Sequence, residues 1–328
     1  MLDPFNRTID YMRISITDRC NLRCIYCMPQ KIRSLPETEI LSYEEILRAC
    51  IQGVSLGIHL IKITGGEPLL REGVPDLVRQ LKNIPGISKV SLTTNGVLLS
   101  RHLDALCAAG IDGINISLDS LDGERFRLTT GFRGLDDIIQ AIHESVTRNI
   151  TVKINAVLID NGGKPQWQGL VELARVLPLD VRFIEMMPIG YGRAFKGIAH
   201  DTILQELYET YPGITEDTAS PGAGPAVYYG IPGFTGKVGF ISALSHRFCQ
   251  TCNRIRLTAE GMLKPCLCYA SGIDLKSILR DPDKTNEAIR QAFVETIAMK
   301  PASHCFTDMA PQAPEEILEK RAMVAIGG

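Results

Sequence analysis

The sequence MRISITDRCNLRCIYC, residues 12–27, joins a β-rich run to three closely spaced cysteines. The run Met12–Thr17 predicts a strand, and the loop after it has the spacing C-x3-C-x2-C at Cys20, Cys24 and Cys27. Cysteine thiolates hold [4Fe–4S] clusters, so three thiolates would leave one iron open to another ligand. Zinc is the alternative, although zinc sites usually combine paired C-x2-C units with a fourth ligand, which this segment lacks.

Short β-rich runs alternate with amphipathic helical patterns through most of the chain. The predicted strands are Met12–Thr17, Leu60–Thr64, Lys89–Thr93, Gly113–Leu118, Thr151–Leu158 and Val181–Met187. The predicted helices lie at about residues 42–56, 73–83, 100–109, 135–148 and 165–177. This alternation indicates parallel βαβ units, and six units are too few for an eight-fold barrel. We therefore predict an α/β fold with a partial (β/α)6 TIM-like barrel, and a doubly wound sheet is the alternative.

The composition changes after about residue 215. Thr218–Pro225, with the sequence TASPGAGP, is typical of a loop, and the later strand patterns are short and separated by Gly and Pro. We expect a barrel domain at residues 1–215 and a C-terminal cluster-binding and substrate-binding extension at residues 216–328 with a Gly-Gly tail. A chain of 328 residues is long enough for such an arrangement.

The composition argues against nucleic acid and membrane as partners. The net charge is −2, so the protein has no strong positive field that would attract nucleic acid or an anionic membrane surface. No apolar run approaches the roughly 18–20 residues that span a bilayer, and the first residues lack the apolar core of a signal peptide. We expect a cytoplasmic enzyme.

The predicted strand ends are polar. The first runs into Thr17-Asp18-Arg19-Cys20, the second into Thr64-Gly65-Gly66-Glu67-Pro68 and the third into Thr93-Thr94-Asn95-Gly96. Asp119 follows the fourth strand, the fifth strand contains Asn155, and Glu185 lies near the end of the sixth. In parallel α/β folds the chemistry gathers at the C-terminal strand ends. The pattern therefore predicts a ligand pocket at this edge.

A second cysteine group lies near the C-terminal end. Cytosolic thiols stay reduced, so regularly spaced cysteines indicate metal ligation or catalysis before disulfides. Cys249, Cys252 and Cys266 have the spacing C-x2-C-x13-C. Zinc is again the alternative, and Cys268 could supply a fourth ligand, although C-x-C geometry is tight.

The residues beside this group are cationic. Arg254 and Arg256 alternate along a predicted strand, so both side chains point to one side of it. They would suit a polyanionic substrate near a metal, and a solvated strand face is the alternative. Cys50 and Cys107 lie within apolar helical patterns and are interpreted as small buried hydrophobes, whereas Cys305, like Cys268, has no assigned role.

The first cysteine motif, with an aromatic residue at Tyr26, is similar to the signature of the radical S-adenosylmethionine (SAM) superfamily. Gly65-Gly66-Glu67-Pro68 is similar to the superfamily motif that contacts the SAM amino group. Glycines permit close backbone approach, and a carboxylate suits an ammonium group. On this resemblance the positions that match SAM contacts are Tyr26, Gly66, Ser117 and Met187.

The whole chain resembles the GTP 3′,8-cyclase family of molybdenum cofactor biosynthesis. The most specific parts are the run FCQTCNRIRLT at residues 248–258 and the terminal Ile326-Gly327-Gly328. Lys62 departs from the pattern, because the family often has arginine there. A lysine keeps the charge but loses the bidentate fork, so we expect it to contribute less to phosphate binding than an arginine would.

This resemblance implies two [4Fe–4S] clusters and a radical reaction. Cys20, Cys24 and Cys27 would hold the cluster that binds SAM, and Cys249, Cys252 and Cys266 a second cluster with an open iron for guanine. Cleavage of SAM would give a 5′-deoxyadenosyl radical that takes the ribose 3′ hydrogen of GTP, after which the sugar carbon attacks C8 of guanine. The radical chemistry belongs to SAM, so no side chain is assigned as catalytic. The positions that match GTP contacts are Arg13, Lys62, Thr93, Lys153, Arg254, Ile255 and Arg256.

The product would be (8S)-3′,8-cyclo-7,8-dihydroguanosine 5′-triphosphate, which cyclic pyranopterin monophosphate synthase converts further. A reductase or reduced electron carrier would supply electrons, and a homodimer is one possible assembly. Two other functions are considered. A peptide-modifying radical SAM maturase usually carries more C-terminal cysteines and lacks the terminal Gly-Gly. A ubiquitin-like sulfur carrier shares the Gly-Gly end but is a small β-grasp domain without cysteine clusters.

Overall fold

The computed structural model describes residues 1–160, 167–218, 224–306 and 318–327 of the chain. The strands are β1 (Tyr11–Ser15), β2 (Leu60–Thr64), β3 (Lys89–Thr94), β4 (Gly113–Ser117), β5 (Thr151–Val157), β6 (Leu179–Ile184), β7 (Thr215–Asp217), β8 (Val227–Gly230), β9 (Val238–Ile241), β10 (Arg254–Leu257), β11 (Met262–Lys264) and β12 (Ile273–Asp274). The helices are α1 (Tyr43–Ser55), α2 (Val74–Lys82), α3 (Leu99–Ala108), α4 (Gly123–Thr130), α5 (Leu135–Thr147), α6 (Trp167–Val176), α7 (His200–Thr210), α8 (Leu275–Arg280), α9 (Asn286–Ala298) and α10 (Met323–Ile326).

These strands form one sheet in the order β12-β11-β10-β1-β2-β3-β4-β5-β6-β9-β8-β7. From β1 to β6 each strand is parallel to the next, and spatial order follows chain order. A doubly wound sheet would reverse its strand order at a switch point, so that alternative is wrong. Within the described strands β12 and β7 do not pair with each other, and the sheet is open. The predicted partial (β/α)6 barrel is confirmed.

The two faces of the sheet differ in chemistry. On the outer face Met12, Ile61 and Ile114 are at most 1% exposed and share one apolar core with the helices. On the inner face Arg13 of β1 is in register with Lys62 of β2 and with Arg256 of β10. Successive strand residues point to opposite faces, so alternating apolar and polar residues give a hydrophobic shell and a polar interior. A (β/α)8 barrel fills this interior with branched apolar side chains, whereas this one keeps polar groups for a ligand.

The extension continues the barrel sheet at both edges. β9 is parallel to β6, and β10 is parallel to β1. Residues of the extension therefore border the barrel interior from both sides. The division at residue 215 stays a prediction, and residues 219–223 of the expected Thr218–Pro225 loop lie outside the described residues.

Local capping signals explain where α1, α4 and α8 begin, because the N-cap side chain of each accepts a backbone hydrogen bond. α1 begins with a capping box, because Ser42 Oγ accepts from Glu45 N at 3.2 Å and the Glu45 carboxylate accepts from Ser42 N at 2.6 Å. Cys50 is 1% exposed on the inner side of α1, and Cys107 is half-buried at the edge of the core. None of the helices in the described ranges is both long and apolar enough to cross a bilayer.

Between β1 and β6, α4 and the start of β6 differ most from the sequence prediction, which also named no helix after residue 177. α4 is not predicted, because its residues show little amphipathic pattern. Its N-cap is Asp122, whose carboxylate accepts from Arg125 N at 2.8 Å. β6 begins at Leu179, two residues before the predicted start. Leu179 and Asp180 are in register with Val152 and Lys153 of β5, and this pairing extends the strand.

Candidate active site

One cavity of about 320 Å³ opens where the parallel strands end. Its wall includes Thr64, Thr94 and Ser117, the last residues of β2, β3 and β4. The cysteines of both predicted groups line this same cavity: Cys20, Cys24, Cys27, Cys249, Cys252 and Cys266. The other predicted ligand residues in the wall are Arg13, Tyr26, Gly66, Thr93, Ser117, Met187, Arg254 and Arg256. The fold thus brings together groups that are more than 200 residues apart in the chain.

The N-terminal cysteine loop is held against the end of α4. Arg23 N donates to Thr130 O at 2.8 Å, and Ile25 N donates to Thr129 O at 3.0 Å. Burial raises the pKa of Cys24 well above its usual value, and Asp119 and the two neighbouring thiols raise it further. Burial and Cys20 likewise raise the pKa of Cys27 to about 12. Thiols must ionise to bind metal, and a cluster would supply the positive charge that favours ionisation, so this donor set fits one.

The glycines after β2 are required by close packing. A Cβ on Gly66 would lie 2.3 Å from Arg19 O, and one on Gly65 would lie 2.7 Å from Thr17 O. Gly66 N and Glu67 N donate to these carbonyls at 2.7 Å each. The glycines therefore bring the end of β2 directly against the cysteine loop, where their backbone borders the cavity.

The Glu67 carboxylate is bound by neighbouring protein groups and does not line the cavity. It is 0% exposed and accepts from Thr94 Oγ1 at 2.7 Å, Asn95 N at 2.7 Å and Leu69 N at 3.0 Å. Burial raises the pKa of Glu67 to about 7 despite these three donors. The side chain joins the ends of β2 and β3 instead of facing the cavity, so an ammonium group there would meet the glycine backbone.

Asp119 is a site residue to which the sequence analysis gave no role. Its carboxylate accepts from Tyr26 OH at 2.6 Å and from Val157 N at 2.8 Å, which fixes the tyrosine next to Cys27. Burial raises the pKa of Asp119 to about 6. The sequence placed Asp119 among the polar strand ends that predict a ligand pocket, but nothing in the sequence showed its contact with Tyr26.

Two cations, Arg254 and Lys300, lie beside the second cysteine group. Burial raises the pKa of Cys252, but the charges of Arg254 and Lys300 outweigh burial and lower it to about 7. His304 N donates to Cys249 Sγ at 3.4 Å. Among the described residues no three His, Cys, Asp or Glu side chains converge on one metal ion. A [4Fe–4S] cluster does not require such convergence, because each cysteine thiolate binds a different iron atom of the cluster.

The predicted cations fall into two sets. Arg13, Arg254 and Arg256 line the cavity, whereas Lys62 and Lys153 do not, and neither does the apolar Ile255 that was predicted with them. Lys153 Nζ donates to Asp180 at 2.7 Å and to Tyr228 OH at 2.8 Å. Lys62 is 8% exposed on the inner face, where burial and then Arg182 and Arg13 lower its pKa well below the usual value. Ile255 is 0% exposed in the outer core, because it points away from its arginine neighbours.

Among the residues predicted to contact GTP, Thr93 lines the cavity and has a buried hydroxyl group that could bind a ligand. Its Oγ1 is buried and has no hydrogen-bond partner within the described part of the chain. A buried hydroxyl without a partner is costly, so a polar ligand group in the cavity would stabilise it.

Comparisons with known proteins agree over the whole chain. Residues 14–174 match the radical SAM superfamily, and residues 179–306 match Molybdenum Cofactor Synthesis C. A GTP 3′,8-cyclase of Clostridium perfringens (strain SM101 / Type A) is 40% identical over 329 residues, with 100% of both chains covered. The chain belongs to the GTP 3′,8-cyclase family. Another member, from Thermodesulfovibrio yellowstonii, is 44% identical over 306 residues, covering 92% of this chain and 94% of its own.

Solved structures share the fold at much lower identity. SuiB of Streptococcus suis bound to S-adenosylmethionine has a TM-score of 0.62 and 14% identity, covering 95% of this chain and 76% of that chain. SuiB bound to the precursor peptide SuiA also has a TM-score of 0.62. The fold of this cyclase family member is therefore shared with a protein that binds a peptide. The fold alone therefore does not separate the cyclase family from a peptide-binding protein. The full-length sequence identity to cyclases does separate them.

The C-terminal tail of this cyclase family member enters the barrel interior. Arg256 donates from its guanidinium to Gly327 O at 2.7 Å, and both groups are buried. Gly327 has φ +75°, and a Cβ there would lie 2.7 Å from Ser15 Cβ. Arg256, expected as a GTP contact, thus also holds the tail, while Gly328 lies outside the described residues.

The two cysteines without a role lie beside the second group. Cys268 Sγ and Cys305 Sγ are 3.2 Å apart, and Cys305 N donates to Cys268 Sγ at 3.5 Å. Cys268 lines the cavity, but its sulfur contacts Cys305. This arrangement favours three ligands, not four, for the second group.

Proposed function

We propose that this chain is a GTP 3′,8-cyclase that converts GTP to (8S)-3′,8-cyclo-7,8-dihydroguanosine 5′-triphosphate, the first step of molybdenum cofactor biosynthesis. The observation that carries the proposal is the single cavity lined by both cysteine groups and by three arginines. Full-length identity to members of the cyclase family supports the same function. A peptide-modifying activity has support from the fold alone.

The N-terminal side of the cavity would hold a [4Fe–4S] cluster and SAM. Cys20, Cys24 and Cys27 would ligate the cluster, which with SAM supplies the reductive cleavage that starts a radical reaction. The residues proposed to hold SAM are Tyr26, Gly66, Ser117 and Met187. The hydrogen bond from Tyr26 to Asp119 supports this assignment, because it orders the loop between two ligand cysteines.

The C-terminal side would hold the second cluster and the substrate. Cys249, Cys252 and Cys266 would ligate the cluster, which leaves an open iron for guanine. A triphosphate carries several negative charges, and charge-assisted hydrogen bonds from arginine suit it. The residues proposed to bind GTP remain Arg13, Lys62, Thr93, Lys153, Arg254, Ile255 and Arg256.

Their positions suggest unequal contributions. Arg13, Thr93 and Arg254 line the cavity and would contact GTP directly. Lys62 and Lys153 lie outside its wall, and Lys153 is paired with Asp180, so both would contribute less than the arginines. Ile255 would position the two arginines beside it. Arg256 would contribute through the tail as well as through its charge.

The remaining partners follow from this function. A reductase or reduced electron carrier would deliver electrons, and cyclic pyranopterin monophosphate synthase would take the product. We also propose a cytoplasmic location, a homodimeric assembly and a two-part chain divided at residue 215.

The test is an anaerobic reaction of reconstituted protein with GTP, SAM and a strong reductant, with ATP as the control nucleotide. The reaction breaks the C3′–H bond, forms a C3′–C8 bond and adds hydrogen to the ring, so the product is an isomer of GTP. We expect a new chromatographic peak with the mass of GTP, and none from ATP. Reductant-dependent SAM cleavage without this peak would reject the cyclase assignment.

A further inference from the structure

Lys300 lies just after the C-terminal end of α9, and its buried side chain contacts the second cysteine group. The residue is 4% exposed. Its Nζ donates to Arg254 O at 2.7 Å, to Pro265 O at 3.0 Å and to Cys252 Sγ at 3.5 Å. An ammonium group has three N–H donors, so these three acceptors match its full capacity.

The acceptors belong to the two chain segments that carry the second group. Arg254 begins β10 just after Cys252, and Pro265 directly precedes Cys266. The two segments are joined at β10 and β11 by antiparallel pairing that begins at Arg256 and Lys264. Lys300 extends this connection beyond the strand ends, to the residues next to the cysteines. It therefore fixes the separation between Cys252 and Cys266.

The charge of Lys300 matters as much as its hydrogen bonds. A buried ammonium group is costly unless a negative group is near, and Lys300 Nζ lies 3.5 Å from Cys252 Sγ, which would be a thiolate ligand of the bound cluster. A [4Fe–4S] cluster with three thiolates becomes more negative when it is reduced. A fixed positive charge at one thiolate favours the reduced state, and hydrogen bonds to the sulfurs act in the same direction.

We propose that Lys300 is a positioning residue for the second cluster, which orients Cys252 and Cys266 and raises the reduction potential of that cluster. The proposal rests on the proposed function, because it assumes that the second cysteine group holds a [4Fe–4S] cluster. No motif of the sequence pointed to Lys300, which lies 34 residues after the last of these cysteines.

The test compares three variants of the full chain after anaerobic reconstitution. Lys300→Met removes charge and hydrogen bonds, and Lys300→Arg keeps the charge. Arg290→Met is the control, because it removes one positive charge from the surface of α9, where Arg290 pairs with Glu287. The readouts are iron content and the reduction potential of each cluster, followed by electron paramagnetic resonance. The N-terminal cluster is the internal reference.

We expect Lys300→Met to weaken retention of the second cluster about 10–100-fold, as for other groups that orient metal ligands. The cluster that remains should have a more negative potential, while Lys300→Arg and Arg290→Met should keep a potential near that of the wild type. The N-terminal cluster should not change. If Lys300→Met retains too little cluster for titration while Lys300→Arg retains it, the requirement for charge is supported directly.

An unchanged potential in Lys300→Met would overturn the electrostatic part, and unchanged cluster retention would overturn the positioning part. Equal loss of both clusters would mean a general folding defect and would also overturn the proposal. The function itself is tested separately on the wild type. Wild-type protein that carries iron for one cluster would reject the second cluster, whereas failure of the Lys300 variants alone would leave the cyclase assignment intact.

Discussion

Substitution of Gly327 by alanine tests whether the buried tail is part of the active site. At φ +75° a residue with a Cβ costs roughly 1–2 kcal/mol more than glycine. The new Cβ would also lie 2.7 Å from Ser15 Cβ and 3.4 Å from Thr64 Cγ2. Overpacking of this kind costs roughly 1–3 kcal/mol. Gly327→Ala should therefore destabilise the docked tail by roughly 2–5 kcal/mol, which lowers the ratio of docked to undocked tail about 30-fold or more.

The expected result is loss of cyclisation without loss of the fold. Ile326 packs in a small cluster with Ile189 and Leu267, separate from the main core, so the tail can leave while the barrel stays folded. Without the tail, Arg256 loses its hydrogen bond to Gly327 O. We expect kcat/KM for GTP to fall by about tenfold or more, while the thermal midpoint shifts by a few degrees at most.

Gly233→Ala is the matched control for backbone strain. Gly233 has φ +82°, but an added Cβ there would meet nothing within 4 Å. This variant carries the conformational cost without the clash, and its cyclisation should be close to that of the wild type. Normal kcat/KM in Gly327→Ala would refute the reasoning, and so would an equal loss in both variants.

Three further changes separate the parts of the cavity. Cys24→Ser should abolish SAM cleavage and remove the iron of one cluster, because three thiolates are the minimum scaffold; unchanged 5′-deoxyadenosine formation would contradict this. Arg254→Ala should weaken GTP binding about tenfold to a hundredfold and guanosine binding much less, since a hydrogen bond to a charged group contributes roughly 1.5–3 kcal/mol. Equal losses for both ligands would mean that Arg254 holds the cluster or the fold. Cys268→Ser should leave the iron content unchanged, because the Cys268 sulfur contacts Cys305, and loss of one cluster would instead make Cys268 a ligand.

The barrel strands could be predicted from sequence because their alternation is strong. Leu60–Thr64 was predicted with its observed boundaries, since a turn signal flanks an apolar run at both ends. The alternation of strands and helices predicted a partial barrel with sequential strand order, but it left a doubly wound sheet as the alternative until the strand pairing was known. α4 was missed because its stability comes from a cap at Asp122 and from contacts with the cysteine loop. Such tertiary contacts leave no periodic pattern in the sequence.

The site was predictable where motifs are local. Both cysteine groups were identified from spacing, and the structure places them on one cavity. Lys300 and the partner of Arg256 depend on long-range packing, so spacing could not reveal them. The motif that contains Glu67 is visible in the sequence, but the orientation of its side chain is not. That orientation depends on hydrogen bonds from Thr94 and Asn95, at the end of the neighbouring strand.

The central claim is tested most directly with GTP deuterated at the ribose 3′ position. The reconstituted protein is incubated anaerobically with this substrate, SAM and a strong reductant, and 5′-deoxyadenosine is analysed by mass spectrometry. The account predicts that 5′-deoxyadenosine gains one deuterium and that its formation accompanies the cyclised nucleotide. Unlabelled 5′-deoxyadenosine in the presence of a cyclised product would contradict hydrogen removal from C3′, and the absence of any cyclised product would contradict the function.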